Sequence, residues 1–128
     1  MKEPQWLLPE VVLAVHEHLL SEFGGSAGVR DLGLLESALA RPEHLFAYQS
    51  ATLCELAASY AFGIVKNHPF IDGNKRTGFA AAAVFIELNG RQLTASEADA
   101  LVNTLALAAG ELDEAGFAAW LAANSVAN

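Results

Sequence analysis

The chain has 128 residues, 53% of them hydrophobic, and a formal net charge of -8 at pH 7. That length and apolar content suit a single domain, residues 1–128, with a buried core. The acidic balance excludes a phosphate-driven nucleic-acid binder, which needs a face rich in Lys and Arg.

A first helix is expected to open at Pro9, suited to a first-turn position, and to run through Val11, Val12, Val15, Leu19 and Leu20 until Gly24-Gly25 stops it. A glycine-rich loop follows, Gly24 to Gly28. Asp31 reads as the N-cap of a short helix carrying Leu32, Leu34, Leu35, Ala38 and Leu39, with Pro42 just past its end. Glu43 to Ala51 has no clear period and reads as loop. Cys54, the one cysteine, rules out an internal disulfide and fits a reducing compartment, so it is expected to be a small core residue. Leu53, Leu56, Ala57, Tyr60, Ala61 and Ile64 recur at helical spacing and predict a central helix buried on that face.

A second core helix is predicted from about Lys75 to Leu88, ended by Asn89-Gly90. Its apolar run, Phe79 to Ile86, falls far short of the roughly 18 residues of a membrane span. The N-terminal segment lacks the basic and apolar regions of a signal peptide, so no membrane association and a cytoplasmic location are expected. Thr94 with Glu97, or Ser96 with Asp99, offers a capping box for a helix reaching about Ala109, closed by Gly110. A last helix, about Asp113 to Ala123, is expected to bury Phe117, Trp120 and Leu121. No strand-like run of Val, Ile and Thr occurs and no internal repeat is found. The predicted fold is all-α, a compact bundle of about six helices with an active loop between two central ones.

That loop, His68-Pro69-Phe70-Ile71-Asp72-Gly73-Asn74-Lys75-Arg76, gathers an imidazole, a carboxylate, a carboxamide and two cations. A glycine lets backbone approach an anion, and the start of the next helix offers unpaired N–H groups with a partial positive charge. Lys75 and Arg76 would add full charges, the arginine as a planar fork that matches phosphate oxygens. A polyphosphate is the expected ligand, with Asp72 able to hold magnesium alongside phosphates and water. His68 is the one group in the loop suited to act as a base near neutral pH. Phe70 is expected to anchor the loop in the core. Each residue taken singly is also ordinary turn chemistry. A metal-hydrolase reading of His68 and Asp72 lacks further ligands. The common phosphate loops, G-x-x-x-x-G-K-[ST] and G-x-G-x-x-G, are absent. His16, His18, His44, Trp6 and Trp120 are read as packing or surface residues, and Arg30-Asp31 as positioning a helix.

The stretch His68 to Thr77 resembles the signature of the Fic/Doc superfamily, H-x-F-x-[DE]-[GA]-N-[GK]-R, and the segment Gly28 to Leu39 with the Trp120-Leu121 ending resembles its Doc branch, the death-on-curing toxins of bacterial toxin-antitoxin modules. The resemblance implies His68 as general base, Asp72 as the metal-binding acid, and Gly73, Asn74, Lys75 and Arg76 as the anion-binding set, with Lys66 and Asn67 as neighbouring candidates. ATP and Mg2+ are the implied cofactors. Typical Fic proteins transfer AMP and carry Gly where Lys75 stands, with a second Arg three positions after the first, where this chain has Phe79. The Doc-like departure implies phosphoryl transfer to a threonine of elongation factor Tu, blocking translation. AMP transfer and a non-catalytic binding role are the alternatives. No segment fits the inhibitory pattern [ST]-x-x-x-E-[GN], so the implied inhibitor is a separate antitoxin with a disordered tail.

Overall fold

The computed structural model describes residues 2–128. In chain order they form α1 (Pro9–Phe23), α2 (Leu32–Tyr48), α3 (Leu53–Asn67), α4 (Asn74–Leu88), β1 (Arg91–Leu93), α5 (Glu97–Ala109), α6 (Glu114–Ala123) and β2 (Ser125–Ala127). The all-α expectation holds.

Local signals set most helix ends. Asp31, Thr52, Ser96 and Asp113 each accept a hydrogen bond from a first-turn N–H, and Thr52 forms a full capping box with Glu55. Gly110, at φ 79, closes α5 in the left-handed region that costs a side-chain-bearing residue most. Of the two alternatives for the start of α5, Ser96 is the N-cap, accepting from Asp99 N at 3.1 Å without the reciprocal bond that would complete a capping box.

Helix α3 is the axis of the core. Its buried residues include Leu56, Tyr60 and Ile64, and α2, α4, α5 and α6 all pack on it. Two glycines set its distances to neighbours. A Cβ on Gly63 would stand 3.1 Å from that of Ala38 on α2, and one on Gly78 of α4 would stand 2.8 Å from Val65 Cγ2. The close α3–α4 pair carries the loop at one end, where Phe70, 1% exposed, plugs into the core as expected.

Three expectations are corrected. Pro42 does not follow α2 but lies inside it, and Glu43 to Tyr48 are helical rather than loop. Proline removes one helix hydrogen bond, but the turns beyond it are held by tertiary contacts. Leu45 and Phe46 pack on the core, Pro42 is itself buried, and the Arg41 guanidinium pairs through both terminal nitrogens with Glu114 of α6 at 2.8 and 2.9 Å. Second, β1 and β2 form an antiparallel pair, Arg91 opposite Ala127 and Leu93 opposite Ser125, too short for a sequence period. Third, Trp120 is only half-buried, its indole N–H donating to Asp99 at 2.8 Å, while Phe117 and Leu121 are buried. Cys54 is a free, buried thiol, as expected.

Candidate active site

The loop hangs between the C-terminus of α3 and the N-terminus of α4, and its shape is over-determined. His68 ends α3 at φ 50, the one non-glycine residue with positive φ among those described. Such a backbone costs roughly 1–2 kcal/mol and is kept only where neighbours impose it. Arg30 imposes it: Nε donates to His68 O at 2.7 Å and Nη2 to Asn67 O at 2.8 Å, capping the end of α3. The backbone of Gly28 to Asp31 runs antiparallel to the loop, with the N–H groups of Arg30 and Asp31 on Pro69 O and that of Ile71 on Gly28 O.

Asn74 braces the loop from inside. At 5% exposure, its Oδ1 accepts from Phe70 N at 2.9 Å while Nδ2 donates to Phe70 O at 3.0 Å. This pair fixes which way the amide faces, so its Nδ2 is what meets His68 Nδ1 at 3.3 Å. Nδ1 then accepts, and the proton of the neutral ring sits on Nε2.

On the other flank, α1 supports the loop. His16 is 3% exposed, stacks on Phe70 at 3.8 Å between centroids, and places Nε2 2.8 Å from Asp72 O, donating to it. Asp72 Oδ1 accepts from Gly73 N at 2.8 Å, and Oδ2 accepts from Ser26 N at 3.3 Å. Gly25 leaves the space this needs, since a Cβ there would meet Asp72 Oδ2 at 2.8 Å.

Gly73 then starts α4 at φ 80 with no side chain to cap it. Helices α2, α3, α5 and α6 have side-chain caps; α1, which opens on Pro9, and α4 do not, and at α4 the first-turn N–H groups of Asn74, Lys75 and Arg76 remain for an external anion. The cations agree. Arg30, Arg41, Lys66 and Arg91 are all tied to protein acceptors, whereas Lys75 and Arg76 make no hydrogen bond or ion pair among the described residues. In a chain of net charge -8, that free pair is where an anion would gain most.

A cleft of about 640 Å³ opens here, lined by His68 and Lys75 on one side and on the other by Val102, Leu105 and Ala106 of α5 with the carboxylate-bearing Glu111 just beyond the helix. Its size falls in the roughly 300–1,000 Å³ range of small-molecule sites.

The Fic/DOC family model matches residues 6–86. The chain belongs to the Fic/DOC family. It is also 42% identical over 108 residues to a protein named Toxin Doc from Mycolicibacterium smegmatis, an overlap of 76% of this chain and 83% of that one. Over 86 residues it is 36% identical to a protein named Protein kinase doc from Escherichia phage P1, covering 66% and 68% respectively.

Within this Fic/DOC chain the signature residues do not all share one face. His68 and Lys75 line the α5 cleft, Asp72 and Arg76 lean toward α1, and the bare start of α4 lies between them. Asn74 turns its side chain inward, so what it can offer an anion is backbone N–H. Lys66 donates to Ala108 O at the end of α5, and Asn67 donates to Leu34 O, so both neighbouring candidates are held by protein. Phe79, where typical family members carry a second arginine, packs its ring 6.3 Å from that of Trp120.

The packing reading of His16 holds, but its place against the loop was not legible in the sequence, and neither was the grip of Arg30 on the end of α3. Histidines are common at helix surfaces, and nothing local marks His16 as facing a loop 56 residues away. Arg30 carried a fainter signal, as a cation set beside a glycine-rich loop and an N-cap, with no acidic residue at helical spacing to pair with it. His44, expected in a loop, is on α2 beside a smaller recess of about 230 Å³ with Tyr48 and Gln49.

Proposed function

We propose that this Fic/DOC protein is the toxin of a toxin-antitoxin module and transfers the γ-phosphoryl group of ATP to a protein hydroxyl. The observation that carries the reading is the bare start of α4, flanked by Lys75 on the cleft side, where the His68 imidazole is exposed, and by Arg76 on the α1 side. The curated relatives named as a toxin and as a protein kinase support it. So does the apolar packing of Phe79, which puts no second cation at the position typical of AMP transfer.

In this reading the α4 N–H groups, Lys75 and Arg76 take the terminal phosphate, whose negative charge they offset as the bond to the leaving oxygen lengthens. His68 accepts the proton of the incoming hydroxyl; its oxygen bonds to the γ-phosphorus, the bond to the β–γ bridging oxygen breaks, and ADP departs. For Nε2 to be that base, its proton must first pass to Nδ1, opening the Asn74 contact. At 3.3 Å that contact is a weak one, so the cost is on the order of 1 kcal/mol.

Asp72 fits a magnesium ion only in company. It is one exposed carboxylate whose oxygens each hold a single N–H, and no group of three or more His, Cys, Asp or Glu able to hold a metal occurs among the described residues. A hard cation completed by phosphates and water suits that donor set, and when bound it would neutralise phosphate charge.

The acceptor implied by the resemblance is a threonine of elongation factor Tu, and the partner a separate antitoxin whose disordered tail folds on this chain. The test is incubation of the purified chain and elongation factor Tu with ATP labelled at either the α or the γ position. Label arriving from γ, and falling by roughly 10²- to 10⁴-fold in His68→Ala, is the expected result. Label arriving from α would make the chain an AMP transferase, and none from either would leave a binding protein.

A further inference from the structure

Phe23, the last residue of α1, is 56% exposed. Its ring nevertheless has an occupant, because Arg76 Cζ lies 4.3 Å from the ring centroid. Phe23 continues a line on α1, since His16, Leu20 and Phe23 are spaced four and three apart and so share a face. His16 holds Asp72 O, and Leu20 Cδ2 lies 3.7 Å from where a Cβ on Gly73 would stand. The side of α1 that supports the loop therefore ends beneath the guanidinium.

A guanidinium held over a ring by cation–π attraction keeps its N–H donors available for other partners. Arg76 is thus placed without being consumed, and those donors make no hydrogen bond to any described residue. A long side chain free in water must give up its rotamer freedom when it binds an anion. One already held against a ring has given up much of it beforehand.

We infer that Phe23 is a positioning residue of the anion site, acting through Arg76 to present the guanidinium to phosphate. This rests on the reading of the α4 N-terminus as the phosphate site. An exposed cation–aromatic contact corresponds to about a two- to five-fold change in affinity.

The test is calorimetric titration of the folded chain with magnesium-ATP, together with thermal melts and steady-state rates. Phe23→Leu is expected to weaken binding by about two- to five-fold and to raise KM for ATP without lowering kcat, at an unchanged melting temperature. Phe23→Tyr, which restores an aromatic face, should bind as the unaltered chain does. In an Arg76→Ala background, Phe23→Leu should have no further effect, because its influence passes through the missing guanidinium. Equal affinity for the unaltered chain and Phe23→Leu, or the same loss with and without Arg76, would overturn the inference while leaving the phosphate site standing. An unaltered chain that binds no magnesium-ATP would overturn both.

Discussion

Asn74 shows how one buried side chain can decide the chemistry of an exposed one. Its amide satisfies both backbone groups of Phe70 and in doing so chooses which nitrogen of His68 carries a proton. Asn74→Ala leaves the Phe70 N–H and C=O without partners, and each buried polar group so abandoned costs about 1–3 kcal/mol. The urea midpoint is expected to fall with an unchanged slope, and activity to fall because the loop loosens, offset in part because His68 no longer has to break the Asn74 contact. Asn74→Asp is expected to do no better, since a carboxylate cannot donate to Phe70 O. The residue type and its place in the motif are legible in the sequence. The direction its side chain takes is not, because an inward and an outward amide have the same sequence spacing.

Among elements, the α3–α4 pair sets the mouth of the loop through close approach. Helix propensity alone favours Gly78→Ala by about 1 kcal/mol. Packing opposes it: the new Cβ would meet Val65 Cγ2 at 2.8 Å and Ala61 O at 3.2 Å. Neither can yield, one being a methyl on a stiff β-branched side chain and the other helix backbone. Overpacking of this kind costs about 1–3 kcal/mol, so a net loss on urea denaturation is expected, with the loop splayed and activity reduced. An unchanged midpoint would mean that α4 can slide away from α3. The same contest between local preference and tertiary contact explains α2. Pro42 is a stop signal when read locally, yet the helix runs on to Tyr48 because Leu45, Phe46 and the Arg41–Glu114 pair hold its second half.

For the whole molecule, Tyr60 couples the N-terminal segment to the core. Its hydroxyl accepts from Leu7 N at 3.1 Å. Burial pushes its pKa up from 10 to about 12, with the Leu7 hydrogen bond pulling the other way and Glu43 adding to the rise. The folded value lies above the unfolded one, so this contribution to stability is complete below pH 10 and is lost as pH climbs toward about 12. Denaturation midpoints are expected to drop across that window. Tyr60→Phe is expected to flatten the drop while lowering stability at neutral pH, where Leu7 N loses its acceptor.

The sequence by itself determined the helical class, the capped starts of α2 and α6, and the identity of the loop. Those are properties of neighbours in the chain: a cap acts within one turn, a helical face repeats every three or four residues, and the signature from His68 to Arg76 is contiguous. Tertiary structure alone decided that α1 braces the loop, that Arg30 holds His68 in a left-handed backbone, and that α5 walls the cleft. Arg30 and His68 stand 38 residues apart, and His16 and Asp72 stand 56 apart. Such partners are chosen by how helices pack around α3, and no periodicity along the chain encodes that choice.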